Sequence, residues 1–333
     1  MLSNENKIEL SIVTTMYRSA PYLQEFHARI AKVASTLTSR YEIIFVDDGS
    51  PDHSLEIAQG ICNANNNIKI VELSRNFGHH KAMATGLKYA KGEYIFLIDC
   101  DLEEDPELLQ SFWHEMQQHP QLDVVFGVQQ QRKGHWFERV TGDIYYKVLN
   151  KMSDEVKSAK NISTVRLMKK NYVQSLLQFQ EQCYYFGPIS NMVGFRQKSL
   201  LIHKKSKSTT SYHFLKKYHL FLDSIISFSS KPLYFIFYFG TCVTLLSFCY
   251  MTFLVIRKIG WGIAIQGWTS LVVLTSLFGG INIFFMGIMS VYILHIFRET
   301  KGRPFTLVRD VYTSESVKDP QIVKTIAASN VQD

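Results

Sequence analysis

Asp99 and Asp101 flank Cys100 directly behind the apolar run Tyr94–Ile98. Alternate residues leaving a strand point the same way, so both carboxylates can face one ligand. Hard oxygen donors suit Mg2+ or Mn2+, ions that take few protein ligands and complete their shells with phosphate oxygens and water. A cation held there would stabilise negative charge growing on a leaving nucleoside diphosphate. Carboxylates so spaced also occur by chance at solvated strand ends. The apolar run ahead of this pair and the acidic Glu103-Glu104-Asp105 behind it set it apart. A second acidic group, Asp47-Asp48-Gly49-Ser50, follows another apolar run. Gly49 permits a tight turn, and a carboxylate there can accept a hydrogen bond from a nucleobase or ribose. Taken alone, that tetrapeptide reads first as an ordinary strand-to-helix turn. His79 and His80 lack partner ligands at metal-site spacing and read as a surface pair at a helix start.

The elements that must hold these groups alternate in type. Apolar runs at Leu10–Thr14, Ile43–Val46, Ile68–Leu73, Tyr94–Ile98 and Val124–Val128 predict strands. Helical patterns at Tyr22–Leu37, Ser54–Asn63, Lys81–Ala90 and Glu107–Gln117 lie between them. Ser50 or Asp52 is expected to cap the second helix, and Asp105, ahead of Pro106, the fourth. Such alternation gives a βαβ layer fold, whose ligands sit outside the carboxyl ends of the strands. Asp47, Asp48, Asp99 and Asp101 all fall at such ends. Trp136–Met152 predicts an amphipathic helix, and Thr164–Met168 and Met192–Arg196 predict short strands.

The rest of the chain changes solvent. Pro232–Ile256 is 25 residues without formal charge, and Gly267–Leu294 is a second uncharged stretch with Asn282 its most polar member. Each is long enough to cross a bilayer. Of a formal charge of +7, many cations lie just before the first span (Lys204, Lys205, Lys207, Lys216, Lys217, Lys231) or after the second (Arg298, Lys301, Arg303, Arg309). Those flanks place both termini in the cytoplasm, against the weaker signal of Arg257 and Lys258 between the spans. His213–Phe228 reads as interfacial helix. The expected organisation is a catalytic domain over 1–205 and juxtamembrane helices over 206–231. A membrane hairpin follows over 232–297 (spans about 232–256 and 267–294), then a cytoplasmic tail over 298–333. Five cysteines form no CxxC pair, as a reducing compartment allows. No basic-then-apolar leader opens the sequence. No recognised nucleic-acid-binding motif accompanies the positive charge, and no GxGxxG follows the first strand, which argues against nucleic acid and dinucleotide partners.

Taken in order, Ser11–Tyr17, Tyr41–Ser50, Leu73–Gly78 and Asp99–Pro106 resemble the family 2 inverting glycosyltransferases of GT-A fold. The closer resemblance is to the polyprenyl-phosphate glycosyltransferases, with further matches at Tyr145–Asn150, Val165–Met168, Val193–Gln197, Ser227–Ser229 and the paired C-terminal spans. The likeness runs over roughly residues 8–312. It implies a nucleotide-sugar donor met by Tyr17, Asp47, Asp48, Arg75 and Asp99, and Mg2+ or Mn2+ at Asp99 and Asp101. It implies polyprenyl phosphate as acceptor, with Arg132, Arg139, Arg166 and Arg196 as candidates to orient its phosphate. Arginine suits that task because its fork donates two hydrogen bonds to one phosphate. It also implies the bacterial-type inner membrane, with the catalytic domain cytoplasmic and a homo-oligomer possible through Gly279-Gly280 and Gly287.

Three positions depart from the resemblance. Thr164 stands where many relatives carry the Asp proposed as base, Thr15-Met16-Tyr17-Arg18 replaces Pro-Val-Tyr-Asn, and His79-His80-Lys81 replaces Lys-Glu-Ala. A monoalkyl phosphate, with a second pKa near ~6, is largely anionic at neutral pH and needs little help from a base. A sugar hydroxyl does need one. The expected reaction is therefore inverting transfer from a nucleoside-diphosphate sugar, UDP being the expected nucleotide, to polyprenyl phosphate. Transfer to a lipid-linked saccharide hydroxyl, or a catalytically silent membrane scaffold, are the alternatives.

Overall fold

The computed structural model describes residues 7–129, 162–179, 181–182, 184–205, 231–261 and 267–314. They form two compact units, one from residues before Ser211 together with those from Pro304 onward, the other around the two long apolar helices.

In the first unit, strands β1 (Leu10–Met16), β2 (Tyr41–Asp47), β3 (Ile68–Leu73) and β4 (Tyr94–Leu97) alternate with helices α1 (Leu23–Leu37), α2 (Ser54–Ala64), α3 (His79–Tyr89) and α4 (Leu108–Gln118). Then come β5 (Val124–Gln129), β6 (Ile162–Lys169), α5 (Lys170–Leu176), α6 (Phe186–Met192) and β7 (Gln197–Ile202). After the apolar helices α7 (Lys231–Trp261) and α8 (Trp268–Thr300), the chain returns as β8 (Val308–Thr313). The strands make one eight-stranded sheet in the order β7-β5-β6-β4-β1-β2-β3-β8. Pairs β4–β1–β2–β3 and β5–β7 are parallel, while β6 is antiparallel to β4 and β5, and β8 antiparallel to β3.

The central strands are apolar at consecutive positions because both faces are covered. Ile12, Ile43 and Phe45 join Phe26, Ile30 and Phe112 of α1 and α4 in one core. Val13, Ile44 and Val46 join Ala82, Met83 and Leu87 of α3 in the other. Period-two alternation thus feeds two cores rather than one core and solvent. Gly86 lets α3 lie close to the sheet, since a Cβ there would meet Val13 Cγ1 at 2.5 Å and Val46 Cγ2 at 2.7 Å.

Five expectations are corrected. The predicted strand Met192–Arg196 is the end of α6 followed by a turn, because Gly194 takes a left-handed φ of 86° and the strand starts at Gln197. Asp105 does not cap α4: its carboxylate pairs with Arg29 at 2.9 Å and Lys205 at 2.6 Å. The apolar helices outrun the predicted spans, at 31 and 33 residues. Part of the expected tail is strand, for β8 covers the outer edge of β3. There Arg309 and Tyr312 both bond the Glu72 carboxylate, at 2.6 and 2.7 Å. The cap of α2 is the fifth: His53, and neither Ser50 nor Asp52, is the N-cap residue and makes no side-chain cap bond, while Asp52 accepts from the Ser54 N–H at 3.3 Å and its hydroxyl at 2.6 Å. Trp136–Met152, His213–Phe228, Arg132 and Arg139 lie outside the described residues.

In the second unit, α7 and α8 each contain a segment long and apolar enough to cross a membrane, Leu233–Tyr250 and Leu277–Thr300. They present Phe235, Phe237, Leu245, Ile283 and Phe284 outward, and touch each other where the Phe239 and Phe285 rings lie 5.5 Å apart.

Candidate active site

The parallel strands β1, β2 and β4 end at one edge of the sheet, and their loops build the site. Ile98 still pairs with β1, its N–H donating to the Val13 carbonyl at 3.1 Å, so Asp99 is the first residue free of the ladder. Cys100 turns inward and donates to the Thr15 carbonyl at 3.1 Å, which fastens the aspartate loop to β1. Burial pushes that thiol up to about 12, so it serves packing and not chemistry. Leu102 then takes a left-handed φ of 60°, a conformation that costs about 1–3 kcal/mol and is tolerated where the surroundings over-determine it. Here Asp101 Oδ1 accepts the Glu103 N–H at 3.0 Å across that turn.

Asp99 is only 19% exposed, and its Oδ1 is buried with no hydrogen-bond partner. Burial raises the pKa of its carboxyl; the nearby His79 opposes the shift and Asp101 reinforces it. A buried carboxylate oxygen without a donor needs a positive partner. That is the fit expected of a divalent-cation ligand. Among the described residues no group of three or more His, Cys, Asp or Glu side chains is placed to hold a metal ion together, so the protein supplies at most two such ligands as it stands. An ion held by one or two carboxylates and finished by diphosphate and water is the arrangement Mg2+ usually takes.

Behind the pair, Glu104 is fully buried, with Oε1 accepting the Ser163 hydroxyl and lying 3.7 Å from Lys204 Nζ, while Oε2 has no partner. Desolvation, reinforced by Asp99, pushes its pKa up to about 8. Lys204 also pairs with Glu103 at 3.0 Å.

The second acidic group is a bracket. Asp48 accepts the Phe77 and Gly78 N–H groups at 2.7 and 3.0 Å, using both oxygens. Asp47 accepts the Ser50 N–H at 3.2 Å, and burial pushes its pKa up to about 6. Gly49, at φ 62°, lies so close to the next loop that a Cβ would stand 2.6 Å from the Arg75 carbonyl carbon. The loops after β2 and β3 are thereby bolted together. The first loop joins them: Arg18 N–H donates to Ser50 Oγ at 2.7 Å and Tyr17 N–H to Ser19 Oγ at 3.1 Å. Tyr17 keeps 45% of its surface exposed, an aromatic face at the rim. Arg75 is exposed and stacks over the Phe77 ring at 4.0 Å.

Arg166 sits opposite Leu97 in the sheet, near the aspartate edge. It is buried, donating from Nε to the Thr164 carbonyl at 3.1 Å and from Nη2 to the Ser163 carbonyl at 3.3 Å, with the Phe186 ring 4.5 Å away. Arg196 is not brought to this site. Its backbone bonds Asp123 just before β5 and β7, at the amino ends of two strands parallel to β4, so it occupies the opposite edge of the sheet. His79, read from the sequence first as half of a surface pair, is carried by the fold to Asp99: Nε2 lies 3.4 Å from Asp99 Oδ1 and Nδ1 3.1 Å from Thr15 Oγ1. Reading residue types along the chain missed the pairing of the buried Glu104 with the partly exposed Lys204. The positive φ of Gly78 at the start of α3 turns His79 toward β1, and only its position after a glycine hinted at this.

Comparison with known proteins gives the family. The family described as Glycosyl transferase family 2 matches residues 11–177. A glycosyltransferase of Mycobacterium tuberculosis (strain CDC 1551 / Oshkosh) is 41% identical over 96% of this chain and 93% of its own length. The prophage bactoprenol glucosyl transferase homolog of Escherichia coli (strain K12) is 26% identical over 91% of this chain and 99% of its own. Among solved structures, glucosyl-3-phosphoglycerate synthase of M. tuberculosis matches with a TM-score of 0.48 and 16% identity, over 67% of this chain and 80% of that one. A mixed sheet with its carboxylates at the carboxyl edge, the family match and the identity along nearly the whole chain lead to one assignment: the chain is a member of glycosyl transferase family 2, with a GT-A catalytic fold.

Proposed function

We propose that this glycosyltransferase moves a sugar from a nucleoside-diphosphate sugar, UDP being our choice, to polyprenyl phosphate at the cytoplasmic leaflet, with inversion. The reading rests on one observation above the others: a buried Asp99 oxygen that accepts no hydrogen bond, at the sheet's ligand edge, in a chain that also carries two bilayer-length apolar helices. Relatives named as bactoprenol glucosyl transferases, such as the E. coli homolog and that of Shigella phage SfX, support the acceptor.

In this reading Asp99 and Asp101 hold Mg2+ or Mn2+, which would offset charge growing on the diphosphate. Tyr17 offers its exposed ring to the base, and the bracket of Asp47, Asp48 and Gly49 fixes the loops on which Tyr17 and Arg75 stand. An anionic lipid-phosphate oxygen forms a bond to the anomeric carbon while the bond from that carbon to the diphosphate oxygen breaks on the opposite side. Thr164 offers no carboxylate base, and this acceptor needs none. The buried Arg166 cation contributes positive potential beside β4. Arg132 and Arg139 remain our candidates for gripping the acceptor phosphate, and Arg196 is set aside because of its place on the far edge.

The test is purified full-length protein with Mg2+ or Mn2+, polyprenyl phosphate and a panel of sugar nucleotides, with mass spectrometry of the lipid fraction. A lipid-phosphate sugar is expected, falling by two orders of magnitude or more in Asp101→Ala with the thermal melt retained. Full activity of that variant, or transfer to a lipid-linked saccharide instead, would overturn the reading.

A further inference from the structure

The geometry points to His79 as a protein ligand that shares the cation with Asp99, which biases this site toward Mn2+ over Mg2+. The inference rests on the cation site proposed above and deepens it.

Three observations carry it. First, His79 is held from behind: its Nδ1 lies 3.1 Å from Thr15 Oγ1, at the end of β1, and its backbone opens α3 behind Gly78. With the Nδ1 proton donated to Thr15 Oγ1, Nε2 is left with its lone pair. A partner on one ring nitrogen is how proteins fix the tautomer of a metal-binding imidazole. Second, Nε2 faces Asp99 Oδ1 at 3.4 Å, yet that oxygen has no hydrogen bond. Two donors each about 2.1 Å from one ion stand roughly 3.0–3.4 Å apart at octahedral to tetrahedral angles. The pair is therefore spaced as neighbours on a shared cation. Third, His79 is 44% exposed, so its ring is not sealed off from ions in solvent.

The selectivity follows from ligand chemistry. Carboxylates and water suit Mg2+ and Mn2+ alike, whereas an imidazole nitrogen favours a first-row transition ion over Mg2+. Replacing one oxygen donor by nitrogen biases the site toward Mn2+ without excluding Mg2+ from it.

Full-length protein in detergent decides the matter, with Mn2+ alone as probe. The free-ion EPR signal gives Mn2+ affinity, competition gives Mg2+ affinity, and electron-spin-echo modulation reports a directly bonded nitrogen. The wild type is expected to show nitrogen modulation. His79→Gln should lose it, bind Mn2+ about tenfold more weakly, and change little toward Mg2+. Thr15→Val should weaken Mn2+ binding by less than His79→Gln while keeping the nitrogen signal. Absence of nitrogen modulation in Mn2+-loaded wild type, or equal losses for both ions in His79→Gln, would overturn the inference. Asp99→Asn and Asp101→Asn separate this from failure of the underlying reading. If they abolish Mn2+ binding while His79→Gln does not alter it, the site stands and only the histidine ligand falls. If they leave it intact, the cation site itself is elsewhere.

Discussion

Glu104 shows how far a single side chain can depart from what its type suggests. It reads as one of three solvated acids behind the aspartate pair, yet it is fully buried, tied to Ser163 and left with an unpartnered oxygen. Desolvation lifts its pKa to about 8, with Asp99 adding to the shift and Lys204 opposing it. The folded protein therefore keeps a proton that the unfolded chain releases once pH exceeds the usual carboxylate range. The stability tied to that proton is complete in acid and is lost as pH rises through about 8. Glu104→Gln keeps an acceptor for Ser163 and removes the titration. Thermal melts from pH 5 to pH 8 should then fall less steeply than in the wild type, with the variant the more stable protein at pH 8. An unchanged slope would place the titration on another group. The same contrast governs what was legible at this scale. Asp99 and Asp101 were readable because a strand end fixes where side chains go. Asp48 was read as a ligand contact from its type and the resemblance, and what the sequence did not show is that each of its oxygens also accepts an amide 29 and 30 positions further on. His79 meets Asp99 across 20 residues of sequence, a distance that no local pattern encodes.

Elements were legible where one rule set them. Strands β1 to β5 were read to within one or two residues at most ends, because burial on both faces makes their apolar runs continuous. The segment before β7 was misread because apolar Met192 and Val193 belong to a helix end, and Gly194 breaks the chain before the strand. Helix α3 carries the sharpest packing constraint. A Cβ on Gly86 would overlap Val13 and Val46, two branched side chains with little freedom to move. Overpacking costs about 1–3 kcal/mol, more than the roughly 1 kcal/mol that alanine gains over glycine in a helix. Gly60, within α2, has nothing within 4 Å of a Cβ built there. Gly86→Ala should therefore destabilise the catalytic unit while Gly60→Ala stabilises it, by up to about 1 kcal/mol. Chemical denaturation of the two variants gives opposite signs if the close approach of α3 to the sheet is real, and like signs if it is not.

At the scale of the whole molecule, the chain's order conceals how the catalytic unit is completed. The sheet is assembled from residues on both sides of the apolar hairpin, since β8 arrives only after α8. Its six residues, Val-Arg-Asp-Val-Tyr-Thr, show neither a continuous apolar run nor strict alternation, and their partner, β3, lies more than 230 positions earlier. Yet the return segment does more than cover an edge. Leu307 accepts the Ser74 N–H at 2.9 Å, Arg309 bonds the Ser74 carbonyl at 2.8 Å, Thr306 meets Thr85 at 2.8 Å, and Phe305 packs on Tyr184. Ser74 begins the loop that Asp48 brackets and that ends at His79. The segment after the hairpin therefore secures the loop that leads from β3 to His79. Without it the Glu72 carboxylate loses both Arg309, itself largely exposed, and Tyr312, and β3 is left as an open sheet edge. A soluble fragment ending before Lys231 should accordingly melt well below one in which residues 304–314 are rejoined through a flexible Gly/Ser linker. Scanning calorimetry of the two fragments is the measurement. Equal melting temperatures would mean that β8 is dispensable and that the catalytic unit ends where its last apolar strand before the hairpin ends.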